Sequence, residues 1–319
     1  MIRRIAFALM ALTFATGAQA EDKPAKVALD WATYNPVSVA LKAKGFLDND
    51  LKKDGVPVEW VKSGGSNVSI GFLNAGKIDF GSTAGAAALV GKIDGAAIKA
   101  VYVYSKPEWT ALVVKPDSPI KSLADLKGKR IAAARGTDPH IFLTRALTEN
   151  GMSPTDVTVV VMAHANGKAA MEAGDVDAWA GLDPMMAEAE VSGTGRLLFR
   201  AADFNTYGVL NVSTAFAQKH PSTVKRVLAA YEQARLWSIA HPEELTALMM
   251  EATGMPKAVV AKQLGERTDL KDPVVGPKVR ATILAAGVTL QKVGAVSDKV
   301  DMAATLDALL DSSFLPKAK

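Results

Sequence analysis

The chain has 319 residues, with 37 Lys and Arg against 33 Asp and Glu and no cysteine. The near-balance of charge, with no dense basic block, excludes a nucleic-acid footprint. The missing cysteine excludes thiolate nucleophiles, cysteine metal sites, disulfides and a lipidated N-terminal cysteine. Stability must then come from an ordinary core, and about 300 residues suffice to bury one as two lobes.

The chain opens with Met1-Ile2-Arg3-Arg4, an apolar run from Ile5 to Ala15 and the small-residue site Ala18-Gln19-Ala20. That order predicts a secretory signal peptide over residues 1–20 and a mature chain from Glu21. Its removal takes Arg3 and Arg4 and no acid, leaving 35 basic residues against 33 acidic ones. The apolar run is shorter than the roughly 20 residues that span a bilayer, and no later run reaches that length.

Short apolar runs then alternate with amphipathic stretches, which predicts α/β structure with mainly parallel strands. Val27-Ala28-Leu29 is a first strand, ending at the loop Asp30 to Pro36. Val37 to Lys44 is a helix stopped by Gly45. Val56 to Val61 is a second strand, and the turn Ser63-Gly64-Gly65-Ser66-Asn67 can cap the helix Val68 to Ala75. Ile78 to Ser82 is a third strand, Ala84 to Leu89 a helix, and Ile98 to Val103 and Thr110 to Val114 further strands. The two prolines of Lys115-Pro116-Asp117-Ser118-Pro119 mark a crossover between lobes.

Beyond it, Ser122 to Lys129 is a short helix and Arg130 to Ala134 a strand. Gly136-Thr137-Asp138-Pro139 opens a helix that runs to Asn150 and stops at Gly151. Val157 to Met162 and Ala178 to Ala180 are strands, Gly167 to Ala173 and Pro184 to Val191 helices, and Val209 to Val212 brings the chain back. From Pro221 the pattern is mostly helical: Val224, Val227, Leu228, Tyr231 and Ala234 share one face, and Met302, Leu306, Leu309 and Leu310 mark a last helix. The expected lobes are residues 21–116 plus 215–319, and 117–214, joined by two crossovers that make a hinge.

In open α/β sheets ligands sit at the carboxyl ends of the strands. Three strand-to-helix turns are rich in small polar residues: Ser63 to Asn67, Gly81 to Gly85 and Gly136 to His140. Unpaired amides and the positive end of the helix dipole favour an anion at such places. The plainer alternative is that each turn only caps its own helix. Trp31, Tyr34, Trp109 and Tyr207 fall near strand ends and suit the wall of a small-molecule pocket, or the packing between lobes. Asp138 either caps its helix or faces the cleft, where it would suit a cationic group or a hydroxyl. His140 lies in the first turn after it and can donate to a ligand; His164 follows a strand and has no assigned role, and the four histidines form no metal site by spacing. Nucleophile-elbow, phosphate-loop, dinucleotide and zinc-protease motifs are all absent from the sequence.

Leu73-Asn74-Ala75-Gly76-Lys77-Ile78-Asp79-Phe80-Gly81-Ser82-Thr83 resembles a block of the substrate-binding proteins of sulfonate, taurine and nitrate importers. Ser118 to Lys129, Gly174-Asp175-Val176-Asp177-Ala178-Trp179 with Asp183-Pro184, and Phe216 to Pro221 resemble three further blocks, in the family's order. The resemblance implies a type II periplasmic binding fold, a periplasmic location, no cofactor and no catalysis. It implies a small solute and an ABC permease in the inner membrane as partners, with the receptor itself a monomer. It is closest to the aliphatic-sulfonate branch, where loop polar groups and helix-start amides hold the head group. The matching positions are Trp31 to Asn35, Ser82 and Thr83, and Gly136, Thr137, Asp138 and His140, with Asp183 in the third block. Two places depart from the pattern: Ala32-Thr33-Tyr34 stands for a polar Gln-Lys type pair, and Thr137-Asp138-Pro139 for Ser-Ser or Ser-Thr. Both touch the head-group site and leave room for a sulfate ester or a ligand with an extra polar group; nitrate is a further alternative, and Asp138 in the cleft would favour a thiamine-precursor pyrimidine. An enzyme on the same fold is the remaining rival, but its pyrimidine-synthesising members rely on a cysteine-rich segment absent here.

Overall fold

The computed structural model describes residues 23–315. The predicted signal peptide lies outside them. The first half of the chain runs β1 (Val27–Trp31), α1 (Pro36–Lys44), α2 (Phe46–Lys52), β2 (Val58–Lys62), α3 (Ser66–Asn74), β3 (Phe80–Ala84), α4 (Gly85–Ile93) and β4 (Ile98–Pro107). A second group follows: β5 (Leu112–Val114), β6 (Arg130–Ala133), α5 (Asp138–Glu149), β7 (Thr158–Val161), α6 (His164–Ala173), β8 (Ala178–Ala180), α7 (Met185–Val191) and β9 (Arg196–Phe199). The chain then returns through β10 (Gly208–Ser213), α8 (Thr214–Lys219), α9 (Pro221–Ala240), α10 (Pro242–Thr253), α11 (Lys257–Arg267), β11 (Thr268–Asp269), α12 (Pro277–Lys292) and α13 (Met302–Leu309).

Two sheets result, one of six strands in the order β11-β4-β10-β3-β1-β2 and one of five in the order β7-β6-β8-β5-β9. This is the two-lobed α/β architecture of periplasmic binding proteins, with sheets that are mixed rather than mainly parallel. Strands β1, β2 and β3 pair in parallel, as do β6, β7 and β8. The strand that enters each sheet from the other lobe runs the opposite way: β10 is antiparallel to β3 and β4, and β5 to β8 and β9. The carboxyl ends of the parallel strands in both lobes therefore point toward the crossovers. No helix among the described residues is long and apolar enough to cross a membrane.

Alternating side chains feed cores on both faces of each sheet. Val27 and Leu29 enter one apolar cluster with α1 and α9, while Ala28 enters another with α4 and α12. In the second lobe Leu112, Val114, Ile131 and Ala133 face α5, and Val113, Ala132 and Trp179 face α6 and α7. That period of two is what a strand buried on both faces requires. Trp179 is fully buried, and a methyl group on Gly167 would lie 2.8 Å from its Cδ1. Glycine at this position lets α6 lie close against β8.

The lobe boundaries differ from the expected 116/117 and 214/215. Leu112 already pairs with Ala180 and Phe199 in the second sheet, so the chain leaves the first lobe between Pro107 and Leu112. Gly208 pairs with Ala84 in the first, so it returns before that residue. The two-proline loop is a turn inside the second lobe, where Arg196 Nη2 donates to the carbonyls of Ser118 at 3.1 Å and Ile120 at 2.5 Å. Proline marks a break in regular structure; it carries no information about which sheet the flanking strands join. Helix α1 ends where expected, at left-handed Gly45, but the turn leads directly into α2.

Candidate functional site

The two crossovers, 108–111 and 200–207, lie side by side and are tied at three levels. Arg200 makes two 2.8 Å hydrogen bonds to the carboxylate of Glu108. The Asn205 amide accepts from Thr110 N at 2.8 Å and donates to Thr110 O at 3.3 Å. Asp138, from the second lobe, accepts from Trp109 Nε1 at 2.9 Å, from Thr206 N at 3.0 Å and from Thr206 Oγ1 at 2.8 Å. Burial raises the Asp138 carboxyl above its ordinary pKa, and these donors oppose the rise. The residue therefore joins the hinge strands; Thr137 is the N-cap of α5.

Next to this tie a small cavity of about 10 Å³ lies between the lobes. Tyr34, Gly65, Ser66 and Ala84 line it from the first lobe, Trp109 from the crossover, and Thr137, Asp138, Pro139, His164 and Leu182 from the second. The lobes meet closely: the centre of the cavity admits about one water-sized group, so a larger solute requires them to part. Tyr34 and Trp109 form one wall, edge to face with ring centroids 6.0 Å apart.

Four helix starts reach this cavity. Gly65 and Ser66 begin α3, Ala84 precedes α4, Thr137 to Pro139 begin α5, and His164 begins α6. The first amides of a helix lack a carbonyl one turn back. At α4 other groups take them: Ala84 N donates to Ser66 Oγ at 3.0 Å, Gly85 N to Tyr207 O at 2.8 Å and Ala86 N to Thr206 Oγ1 at 3.1 Å. The turn Gly81 to Gly85 is thus used by the fold itself. The starts of α3 and α5 face each other: Gly136, at φ +75°, brings its Cα so near α3 that a methyl there would lie 3.4 Å from Asn67 Cβ.

Of the twelve residues expected at the site, Tyr34, Trp109, Thr137 and Asp138 line the cavity. Gly136 stands at its edge. Ser82, Thr83 and Asn35 lie beneath it in a buried polar network. Asp30 accepts from Ser82 N and Oγ, both at 2.8 Å, and from Ser63 Oγ at 2.7 Å. Asn35 Nδ2 donates to Ser82 Oγ at 2.8 Å, Tyr34 Oη donates to Ser82 O at 2.9 Å, and Asn211 Nδ2 donates to Thr83 Oγ1 at 2.8 Å. Burial pushes the Asp30 carboxyl up to about 6 against these donors.

The remaining four point elsewhere. The Trp31 ring lies between Lys62 and Lys42, whose ammonium groups are 5.0 and 5.2 Å from its centroid. Tyr207 packs with Val279 and Ile283 in a core cluster, and His140 is half-buried outside the cavity. Asp183 accepts from Ala187 N at 2.9 Å and pairs with Arg267 Nη1 at 3.1 Å, across the two lobes. Arg267 also pairs with Glu190. Burial drives Asp183 up to about 7 even beside this guanidinium. Aromatic or polar type marked these residues in the sequence; the pleat and the helix phase turned them away from the cavity.

A family model described as "NMT1/THI5 like" matches residues 34–245. The chain belongs to the NMT1/THI5-like family. It is 32% identical over 226 residues to the putative aliphatic sulfonates-binding protein of Escherichia coli K12, covering 70% of this chain and 71% of that one. The alkanesulfonate-binding protein SsuA of Xanthomonas axonopodis pv. citri, solved bound to MOPS, superposes with a TM-score of 0.81 at 26% identity, over 89% of this chain and 98% of that one. The periplasmic aliphatic sulphonate-binding protein SsuA of E. coli does so with a TM-score of 0.74 at 29% identity, over 88% and 91%. These relatives are binding proteins, and this NMT1/THI5-like chain is a binding protein rather than an enzyme.

Proposed function

We propose that the chain is an exported, monomeric receptor that captures a small organic oxyanion, an aliphatic sulfonate, in the cleft and delivers it to an ABC permease. The observation that carries this reading is the meeting of helix starts from both lobes on one cavity, with Gly136 before α5 packed close against Asn67 in the first turn of α3. A helix start favours an anion by about 0.3–1 kcal/mol, and a hydrogen bond to a charged group adds about 1.5–3 kcal/mol. A few such bonds reach micromolar affinity, about −8 kcal/mol, after the cost of association. The sulfonate class comes from the relatives' names together with this chemistry. In this reading the amides of Ser66, Asn67, Thr137 and Asp138 hold the head group, while the Thr137 hydroxyl donates to Ala134 O at 2.5 Å and orders the α5 start. Tyr34 and Trp109 contact the organic part as the lobes part to admit it.

Asp138 weighs against a cationic solute, because three protein donors already occupy its oxygens. The test is a thermal-shift screen with alkanesulfonates, taurine, sulfate esters, nitrate and a thiamine-precursor pyrimidine. A ligand at 100 times its Kd adds about 2.7 kcal/mol of stability. Stabilisation by alkanesulfonates is the expected result. Stabilisation by the pyrimidine alone would contradict the oxyanion reading.

A further inference from the structure

His164 is the first residue of α6, a ten-residue helix, and its side chain is buried at 4% exposure in the wall of the cavity. Neither ring nitrogen has a hydrogen-bond partner among the described residues. Buried polar atoms are nearly always partnered, and an imidazole with both nitrogens bare needs an explanation. The ring is directed across the cleft. A methyl group on Gly65 would lie 3.4 Å from His164 Nε2 and 3.7 Å from Cδ2. Glycine at 65 therefore leaves the Nε2 edge open toward the start of α3. On the far side, Gly167 lies one turn along α6 against Trp179 and fixes the height of the helix.

Asn67 Oδ1, 3.1 Å from the same methyl position on Gly65, accepts from Val68 N at 2.9 Å. The α3 start lies opposite, and the α6 start carries the ring itself. Asp138 is the carboxylate of the cavity lining, and its oxygens are held by Trp109 and Thr206. Burial holds the His164 pKa down at about 4, so the ring is neutral at neutral pH. One nitrogen then carries a proton, and among the described residues no protein acceptor is hydrogen-bonded to it.

Resting on the oxyanion reading above, we propose that His164 is a ligand-contacting residue, its Nε2–H donating to an oxygen of the solute's anionic head group held against the start of α3. The neutral ring supplies a directed donor without a fixed charge. It selects for an acceptor head group by geometry, whereas a lysine would attract any anion.

The test uses the full mature chain with butanesulfonate as the probe. Affinity is measured by calorimetry for wild type, His164→Gln and His164→Ala, and the histidine ring nitrogens are followed by NMR in wild type. Loss of a hydrogen bond to a charged group should weaken binding by roughly ten- to a hundredfold in His164→Ala. His164→Gln, which keeps a donor, should recover most of that loss, and the His164 ring signals should move on saturation. Unchanged affinity in both variants with static ring signals would overturn the role of His164 while leaving sulfonate capture standing. If wild type binds no sulfonate, the oxyanion reading and this inference fail together. The ring signals are read in wild type, so the outcome does not depend on the variants folding.

Discussion

The Asp138 carboxylate accepts hydrogen bonds from Trp109 on one crossover and Thr206 on the other, at 2.8–3.0 Å. One side chain of the second lobe thereby holds both strands on which the lobes turn. Asp138→Ala leaves three buried donors without their acceptor, at about 1–3 kcal/mol for each group. The expected loss is on the order of 3 kcal/mol or more by chemical denaturation, with Asp138→Asn losing less. Trp109→Phe and Thr206→Val should couple to Asp138 in double-mutant cycles. Additive effects would show that the tie is not shared.

Arg267 pairs with Asp183 and Glu190 from opposite sides of the cleft, with its side chain only 1% exposed. Removing one member of a buried pair costs about 3–5 kcal/mol, because the remaining charges stay uncompensated. Here the carboxylates can regain water if the lobes separate. Arg267→Met should therefore raise the radius of gyration of the unliganded protein in small-angle scattering. An unchanged radius with a lowered melting temperature would make the pair a brace within a fixed arrangement.

Ser82 donates to Asp30 and accepts from Asn35 beneath the cavity floor. Ser82→Ala should lose about 1–3 kcal/mol of stability and leave ligand affinity within about threefold. A tenfold loss of affinity at unchanged stability would put this hydroxyl back in contact with the solute.

Asp30 is fully buried, and its pKa is raised from 3.8 to about 6. Between these values the folded chain keeps a proton that the unfolded chain has released. The resulting stability is fully present below about pH 4 and is lost as pH rises through 6, a change on the order of 3 kcal/mol. Denaturation of wild type and Asp30→Asn at pH 4 to 7 should show the difference between them changing across that window. A constant difference would mean the carboxyl titrates normally.

Much of the architecture is legible in the residues. Val27-Ala28-Leu29, Gly45 and Gly136-Thr137-Asp138-Pro139 place a strand, a helix stop and a helix start by local chemistry alone. The hinge is less legible, because a strand as short as Leu112–Val114 takes its lobe from partners some 70 to 90 positions away. The site divides in the same way. Thr137 and Trp109 stand out by type and position, but whether Ser82 faces the cleft or Asp30 depends on the pleat of β3. His164 carries no local signal at all. The start of α6 lies three residues ahead of the expected Gly167, and only the packing of α6 on Trp179 turns the ring toward Gly65.

The central claim is that the solute's head group sits where the helix starts of the two lobes meet. A crystal structure with an alkanesulfonate bound tests it most directly. The account predicts sulfonate oxygens within hydrogen-bond distance of the Ser66 or Asn67 amides on one side and of Thr137 or the Asp138 amide on the other. A sulfonate held within one lobe, or contacting Ser82 and Tyr207 instead, would contradict it.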